Sequence, residues 1–303
     1  MAKFALAPSE GTPALISRRG LLLGGLLAAP AVASLTARAQ SDLDEIRSGL
    51  ADLERIHGGR LGVCALDVAT GRRIEHRANE RFAITSTYKF LAAAFTLMRV
   101  DRGDDALDRR VAYSKDRLVA YSPATEKRVG DGMTLGELCE AAVTLSANTA
   151  GNLLLESLGG PAQFTQFARA LGDDATRLDR LETALNEATP GDPRDTTTPA
   201  AMADDVRKLV VGDALSPQSR DRLSAWLVAN RTGDKRLRAG VPRDWRVGDK
   251  TGSGGHATTN DVAVIWPPER GPIVVAAYYA ESAEPDDARN GVLAEVGRLA
   301  VRM

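Results

Sequence analysis

The chain has 303 residues, 44% of them hydrophobic and 26% charged, enough for one large core or two intimate domains. The formal net charge is −1 and only 5% of residues are aromatic. Nothing in that balance points to a basic stripe or a base-stacking platform, so no nucleic-acid partner is expected.

The first segment reads as an address, not as part of the fold. Arg18-Arg19, a short apolar stretch and Ala37-Arg38-Ala39 ahead of Gln40 form an export signal over 1–39, cleaved near Ala39. The run from Ser17 to Leu22 resembles a twin-arginine signal. The apolar run is too short and too rich in Gly, Ala and Pro to span a bilayer. The mature protein is expected from about residue 40, periplasmic or secreted, with no stable membrane partner.

Residues 42–56 alternate apolar and charged positions at helical period, and Gly58-Gly59 ends them. R-L-G-V-C-A-L-D-V at 60–68, A-T-G, then R-R-I-E-H-R predict a hairpin. From residue 86 to 100 the chain is helical and apolar nearly all round, which predicts a buried helix. Thr134 to Glu137 is a capping-box pattern opening the next helix. Helices follow over 148–158 and 161–171, then from Thr198-Pro199 to 212 and from Ser216-Pro217 to about 230. Three β-rich runs, R-V-G-D-K-T-G, N-D-V-A-V-I-W and P-I-V-V-A-A-Y-Y-A, precede an amphipathic helix over 286–302.

Strands at both ends of a chain can meet in one antiparallel sheet. The expected fold is therefore α+β: a sheet flanked by the N- and C-terminal helices, with an all-helical domain inserted. The α/β part would hold 40–84 and 230–303, the helical part 85–229 with the loop 177–198, and the site would lie in the cleft between them. Cys64 and Cys139 leave a disulfide open in an exported chain. Each also sits in an apolar stretch that suits a free buried thiol, and unpaired thiols are the expectation. His57, His76 and His256 have no ligand spacing, so no metal site is expected.

Four patterns carry chemistry. In I-T-S-T-Y-K-F-L, Ser86 and Lys89 lie one helical turn apart, so a lysine with a lowered pKa can take the proton of a serine nucleophile. An ordinary helix cap explains Ser86 as well. Ser146-Ala147-Asn148 joins two helices and places a hydroxyl near an amide; capping of the second helix is the plainer account. Lys250-Thr251-Gly252-Ser253 ends a strand, where glycine admits a ligand to the strand edge and Lys250 and Thr251 suit a carboxylate; a glycine-rich turn is the plain alternative. The polar loop 177–198 is too long for a simple connection. Within it Glu182 and Asn186, four apart, can aim at one water, and Arg180 and Asp195 can close the loop as an ion pair; for any one of them a solvated surface loop is the plain alternative.

In this order and setting, the four patterns resemble the class A serine β-lactamases over nearly the whole mature chain. R-L-D-R-L-E-T-A-L-N-E-A and D-K-T-G-S-G-G are the most specific stretches. The resemblance implies that Ser86 is acylated by a β-lactam, with Lys89, or Glu182 through a water, as the base. Backbone N–H groups of Ser86 and Ser253 would form the oxyanion hole. Ser146 would protonate the leaving nitrogen. Glu182, held by Lys89 and Asn186, would activate the hydrolytic water. Asn148 would bind the substrate side-chain amide, and Lys250, Thr251 and Ser253 its carboxylate beside Gly252. Tyr121 would line the entrance. No cofactor is implied, and a monomer is expected.

Three departures from the family pattern stand out. Ala147 replaces the usual aspartate between Ser146 and Asn148, which implies a cost in bracing. Thr259 stands where many members carry an arginine, and Arg238 in L-R-A-G-V-P matches the arginine used by others. Cys139 lacks its usual disulfide partner, whose place is Ala93. The expected substrates are penicillins and some cephalosporins. An acylated penicillin sensor, or a D,D-peptidase, would use the same S-x-x-K, S-x-N and K-T-G set without efficient turnover.

Overall fold

The strands at the two ends of the chain do meet in one sheet. The structure, a computed structural model, describes residues 28–303, so positions 1–27 of the expected export signal lie outside the described residues. No described helix is long and apolar enough to cross a membrane. Residues 42–303 form a single compact unit.

Helix α1 (Ala28–His57) leads into strands β1 (Arg60–Asp67) and β2 (Arg73–His76), then the short β3 (Phe82–Ala83). A 3-10 turn at Thr85–Thr87 opens α2 (Tyr88–Asp101). The short strands β4 (Arg110–Val111) and β5 (Met133–Thr134) pair with each other ahead of α3 (Leu135–Thr144), α4 (Asn148–Ser157) and α5 (Pro161–Ala170). After the long loop come β6 (Thr196–Thr197), α6 (Pro199–Val206) and α7 (Pro217–Val228). Strands β7 (Arg246–Ser253), β8 (Thr259–Trp266) and β9 (Ile273–Ala280) precede α8 (Asp286–Ala300).

The five long strands run β2-β1-β9-β8-β7, every neighbouring pair antiparallel. Strand β9 lies central and is apolar on both faces because both are covered. Its Val275, Ala277 and Tyr279 pack with Leu43, Ile46 and Leu50 of α1 and Val292, Leu293 and Val296 of α8. Its Val274, Ala276 and Tyr278 join the core of the helical block, with Phe90, Leu91 and Leu97 of α2 and Leu138 of α3. The alternation of a strand thus serves two cores.

The capping box forms as expected: Thr134 accepts from the Glu137 amide, and Glu137 accepts from the Thr134 amide. Thr198 and Ser216 cap α6 and α7, each with proline at the first position. The helix expected from Ser86 starts two residues later. Thr85 sits at φ +43°, a conformation a β-branched residue reaches only under constraint, and Ser86 falls inside the 3-10 turn. Asn260 of β8 supplies that constraint, donating to Ala83 O and to Thr85 Oγ1, both at 2.9 Å.

Candidate active site

Ser86 is not a cap. Its turn has no side-chain capping bond, and Ser86 Oγ faces Lys89 and Glu182 instead. Lys89 Nζ donates to Ser86 Oγ at 2.9 Å, Ser146 O at 2.9 Å and Asn148 Oδ1 at 2.7 Å, and stands 2.8 Å from Glu182 Oε1. Ser86 Oγ lies 3.4 Å from the same carboxylate oxygen, toward which it donates. Burial pushes the Lys89 ammonium below its ordinary pKa, against the opposing pull of Glu182. A serine hydroxyl held between a lysine and a carboxylate has two routes for losing its proton.

The S-x-N stretch is built from strain as well. Ser146 sits at φ +56°, and α4 has Ala147 as its N-cap, without any side-chain bond. Asn148 therefore does not cap: it accepts from Lys89 and donates Nδ2 to Ala120 O at 2.9 Å. Across the cleft, Lys250 Nζ donates to Ser146 Oγ at 2.9 Å and to Thr251 O at 2.7 Å. Burial first, then the nearby Lys89 charge, pushes Lys250 well below the usual lysine range. Ser146 thus lies between two lysines, a placement that lets its hydroxyl accept and pass on a proton.

Glu182 is aimed by its loop. Asn186, one 3-10 turn on, donates Nδ2 to Glu182 Oε2 at 2.5 Å. Arg180 Nε donates to Asp195 Oδ2 at 2.5 Å, and Asp195 Oδ1 accepts the amides of Asp179 and Arg180. The expected ion pair therefore closes the loop, reinforced by backbone bonds at its base, where β6 pairs with β3. The far side of the loop touches the end of β7, where the Gly255 amide donates to Asn186 O at 2.8 Å.

A cleft of about 270 Å³ opens above these groups. It is lined by Ser86, Tyr121, Ser146, Asn148, Asn186, Thr251, Gly252 and Ser253, as expected, and by Thr232 and Arg236. Lys89, Glu182 and Lys250 lie buried behind that lining. Tyr121 is 60% exposed at the rim.

Arg238 is a correction. Its Nε donates at 3.0 Å, and its Nη2 closely, to the buried Asp249 carboxylate, so its charge is spent away from the cleft. Arg236 reaches the cleft instead. Its Nη1 donates to Gly252 O and Asn260 O, and its Nη2 to Ser253 Oγ, each at 2.7 Å. Asn152 also went unread. It grips the Glu182 backbone at both ends, accepting its amide at 2.8 Å and donating to its carbonyl at 3.0 Å.

Cys64 and Cys139 are both free and buried, and burial pushes their thiols up to about 11 and about 12. Among the described residues no cluster of His, Cys, Asp or Glu is placed to hold a metal ion.

The cleft, its strained serine turn and its looped glutamate are those of a serine hydrolase of the β-lactamase type, and comparison with known proteins agrees. Residues 45–303 match the model of the beta-lactamase enzyme family. The chain is 51% identical over 277 residues to beta-lactamase AST-1 of Nocardia asteroides, covering 91% of this chain and 88% of that one. It is 45% identical to beta-lactamase CTX-M-25 of Escherichia coli, covering 93% and 96%. An ancestral Gram-negative class A β-lactamase superposes with TM-score 0.84 at 67% identity, covering 84% of this chain and 98% of the other. The chain belongs to the class A β-lactamases, hydrolases of β-lactams.

Proposed function

We propose that the protein hydrolyses penicillins and some cephalosporins through an acyl-enzyme on Ser86. The observation that carries this reading is the shared position of Ser86 Oγ, 2.9 Å from Lys89 Nζ and 3.4 Å from Glu182 Oε1. Ser86 Oγ attacks the lactam carbonyl as its proton passes to Lys89, or through a water to Glu182. The backbone N–H groups of Ser86 and Ser253 hold the oxyanion, a contribution of about 3–4 kcal/mol for one such donor. The C–N bond then breaks as the proton taken from Ser86 is handed on through the Ser146 hydroxyl, held by Lys250, to the nitrogen, which returns the base to its starting state. Glu182, oriented by Asn186, next takes a proton from water as its oxygen attacks the ester carbon, and that proton passes to Ser86 Oγ as the C–O bond breaks and the serine is freed.

Asn148 receives the substrate amide in this reading. Thr251, Ser253 and Arg236 receive its carboxylate, with Arg236 replacing the Arg238 of the sequence-based expectation. The helical block over 85–229 acts as one wall of the cleft and the sheet as the other. Export by the 1–39 signal, release as a monomer and a periplasmic or secreted location complete the proposal.

The test is turnover of a chromogenic cephalosporin and of benzylpenicillin by the mature chain. Many turnovers per enzyme, abolished in Ser86→Ala, are expected. One product per protein followed by a stall would instead assign the chain to the acylated sensors or peptidases.

A further inference from the structure

Tyr88 stands beside the catalytic lysine in sequence and has no evident structural reason for its hydroxyl. The side chain is fully buried at the start of α2, and its ring meets Phe164 of α5 edge-on, centroids 6.1 Å apart. A phenylalanine would fill that space equally well. Yet the hydroxyl is there, buried and without a hydrogen-bond partner in its present geometry. Native proteins rarely leave such a group unpaired, and those they do leave often have a role.

The surroundings are shaped to accept it. Residue 151 of α4 is glycine, and a Cβ there would overlap the Tyr88 hydroxyl and stand 2.8 Å from Lys89 Cε. The next residue, Asn152, holds the Glu182 backbone. Burial, and then the charge of Glu182 beside it, keeps the phenol protonated far above neutral pH. The hydroxyl thus keeps a proton to donate, and the space over Gly151 brings it to the Lys89 stem, whose ammonium stands 2.8 Å from Glu182 Oε1.

Lys89 shows when such a donor is needed. An ammonium has three N–H groups, but four oxygens lie within 2.9 Å of Lys89 Nζ. Whenever Lys89 gives up a proton, or turns toward Ser86, the glutamate loses a donor. We propose that Tyr88 is a positioning residue for hydrolysis of the acyl-enzyme, donating its hydroxyl to the Glu182 carboxylate from the buried side and holding it toward the water. This rests on the reading that Glu182 activates that water.

The test is Tyr88→Phe, with benzylpenicillin, by steady-state kinetics and by quench-flow mass spectrometry of the acyl-enzyme. The expected kcat falls about tenfold, the usual scale for a lost hydrogen bond to a charged group. KM falls by a similar factor, kcat/KM stays within about twofold, acyl-enzyme accumulates, and the melting temperature is no lower. A purely structural role would not produce that split. An unchanged kcat with no accumulation overturns the proposal, and so does a loss confined to kcat/KM. Glu182→Gln is run alongside. If it stalls as acyl-enzyme while Tyr88→Phe turns over normally, the tyrosine proposal alone fails; if Glu182→Gln also turns over normally, the glutamate reading fails with it.

Discussion

Lys89 Nζ and Glu182 Oε1 stand 2.8 Å apart, and neither side chain has any surface open to solvent. Removing one partner of such a pair strands the other charge, which costs roughly 3–5 kcal/mol. Lys89→Met keeps the stem and deletes the charge. It is expected to lower the melting temperature by several degrees and to slow acylation by about a thousandfold. Thermal denaturation with burst kinetics checks both. An unaltered melting temperature would mean that the pair is neutral in the resting enzyme.

Arg236 and Arg238 separate binding from stability within three residues. Arg236 lines the cleft and donates to Ser253 Oγ and two carbonyls. Arg236→Ala is expected to raise KM for benzylpenicillin about tenfold, the loss of one charge-assisted contact. Arg238 faces Asp249, a carboxylate with no exposed side-chain surface whose pKa burial pushes up and Arg238 holds down. Arg238→Ala is expected to cost about 3 kcal/mol of stability and to leave KM within about threefold. The same effect on KM from both variants would refute this division.

The two arginines also mark where sequence reading stopped. Ser86 with Lys89, and Glu182 with Asn186, were legible because each pair sits one turn apart, a spacing that local geometry converts into contact. The long strands were legible as β-rich runs between Gly and Pro turns, and several helix starts from their caps. Arg236 and Arg238 bracket the first residue of the 3-10 turn Leu237–Gly240, whose direction no periodicity sets. Asn152 hid inside the apolar run of α4, because its partner is a backbone 30 residues away. The pairings β3–β6 and β4–β5 are two residues long, too short to show a period. The true start of α2 depended on Asn260, a long-range tether of Thr85.

Gly252 sets how closely strand β7 approaches Ser86. A Cβ at this position would overlap Thr85 Oγ1 and come within 3.3 Å of the Ser86 amide. Gly252→Ala must push the strand edge off the serine turn. A displacement near 1 Å in an active site can cost about a hundredfold, and that loss in kcat/KM is expected. Gly291→Ala is the control: it lies in α8 with nothing within 4 Å of the added Cβ, and a gain of about 0.5–1 kcal/mol is expected. Full activity in Gly252→Ala would show that the strand edge yields freely.

Ala147 is the N-cap of α4 and offers its first turn no side-chain acceptor. An acidic cap side chain in place of alanine is worth about 1 kcal/mol, and the helix dipole favours the negative charge. Burial opposes this, because Ala147 is completely enclosed and a carboxylate without partners there would be penalised. Two features tip the balance toward the cap. The Asn148 and Thr149 amides already donate to Tyr121 O and Ser122 Oγ, but the Ala150 amide stands at the third position, which a capping carboxylate reaches, and Lys89 already donates to the neighbouring Ser146 O at 2.9 Å. Ala147→Asp is therefore expected to raise the melting temperature by about 2–4 °C, with kcat/KM within about threefold of the parent. Calorimetry and benzylpenicillin turnover measure the two effects. A lower melting temperature would show that the enclosure has closed around alanine, so that the bracing aspartate of other class A enzymes no longer fits this chain.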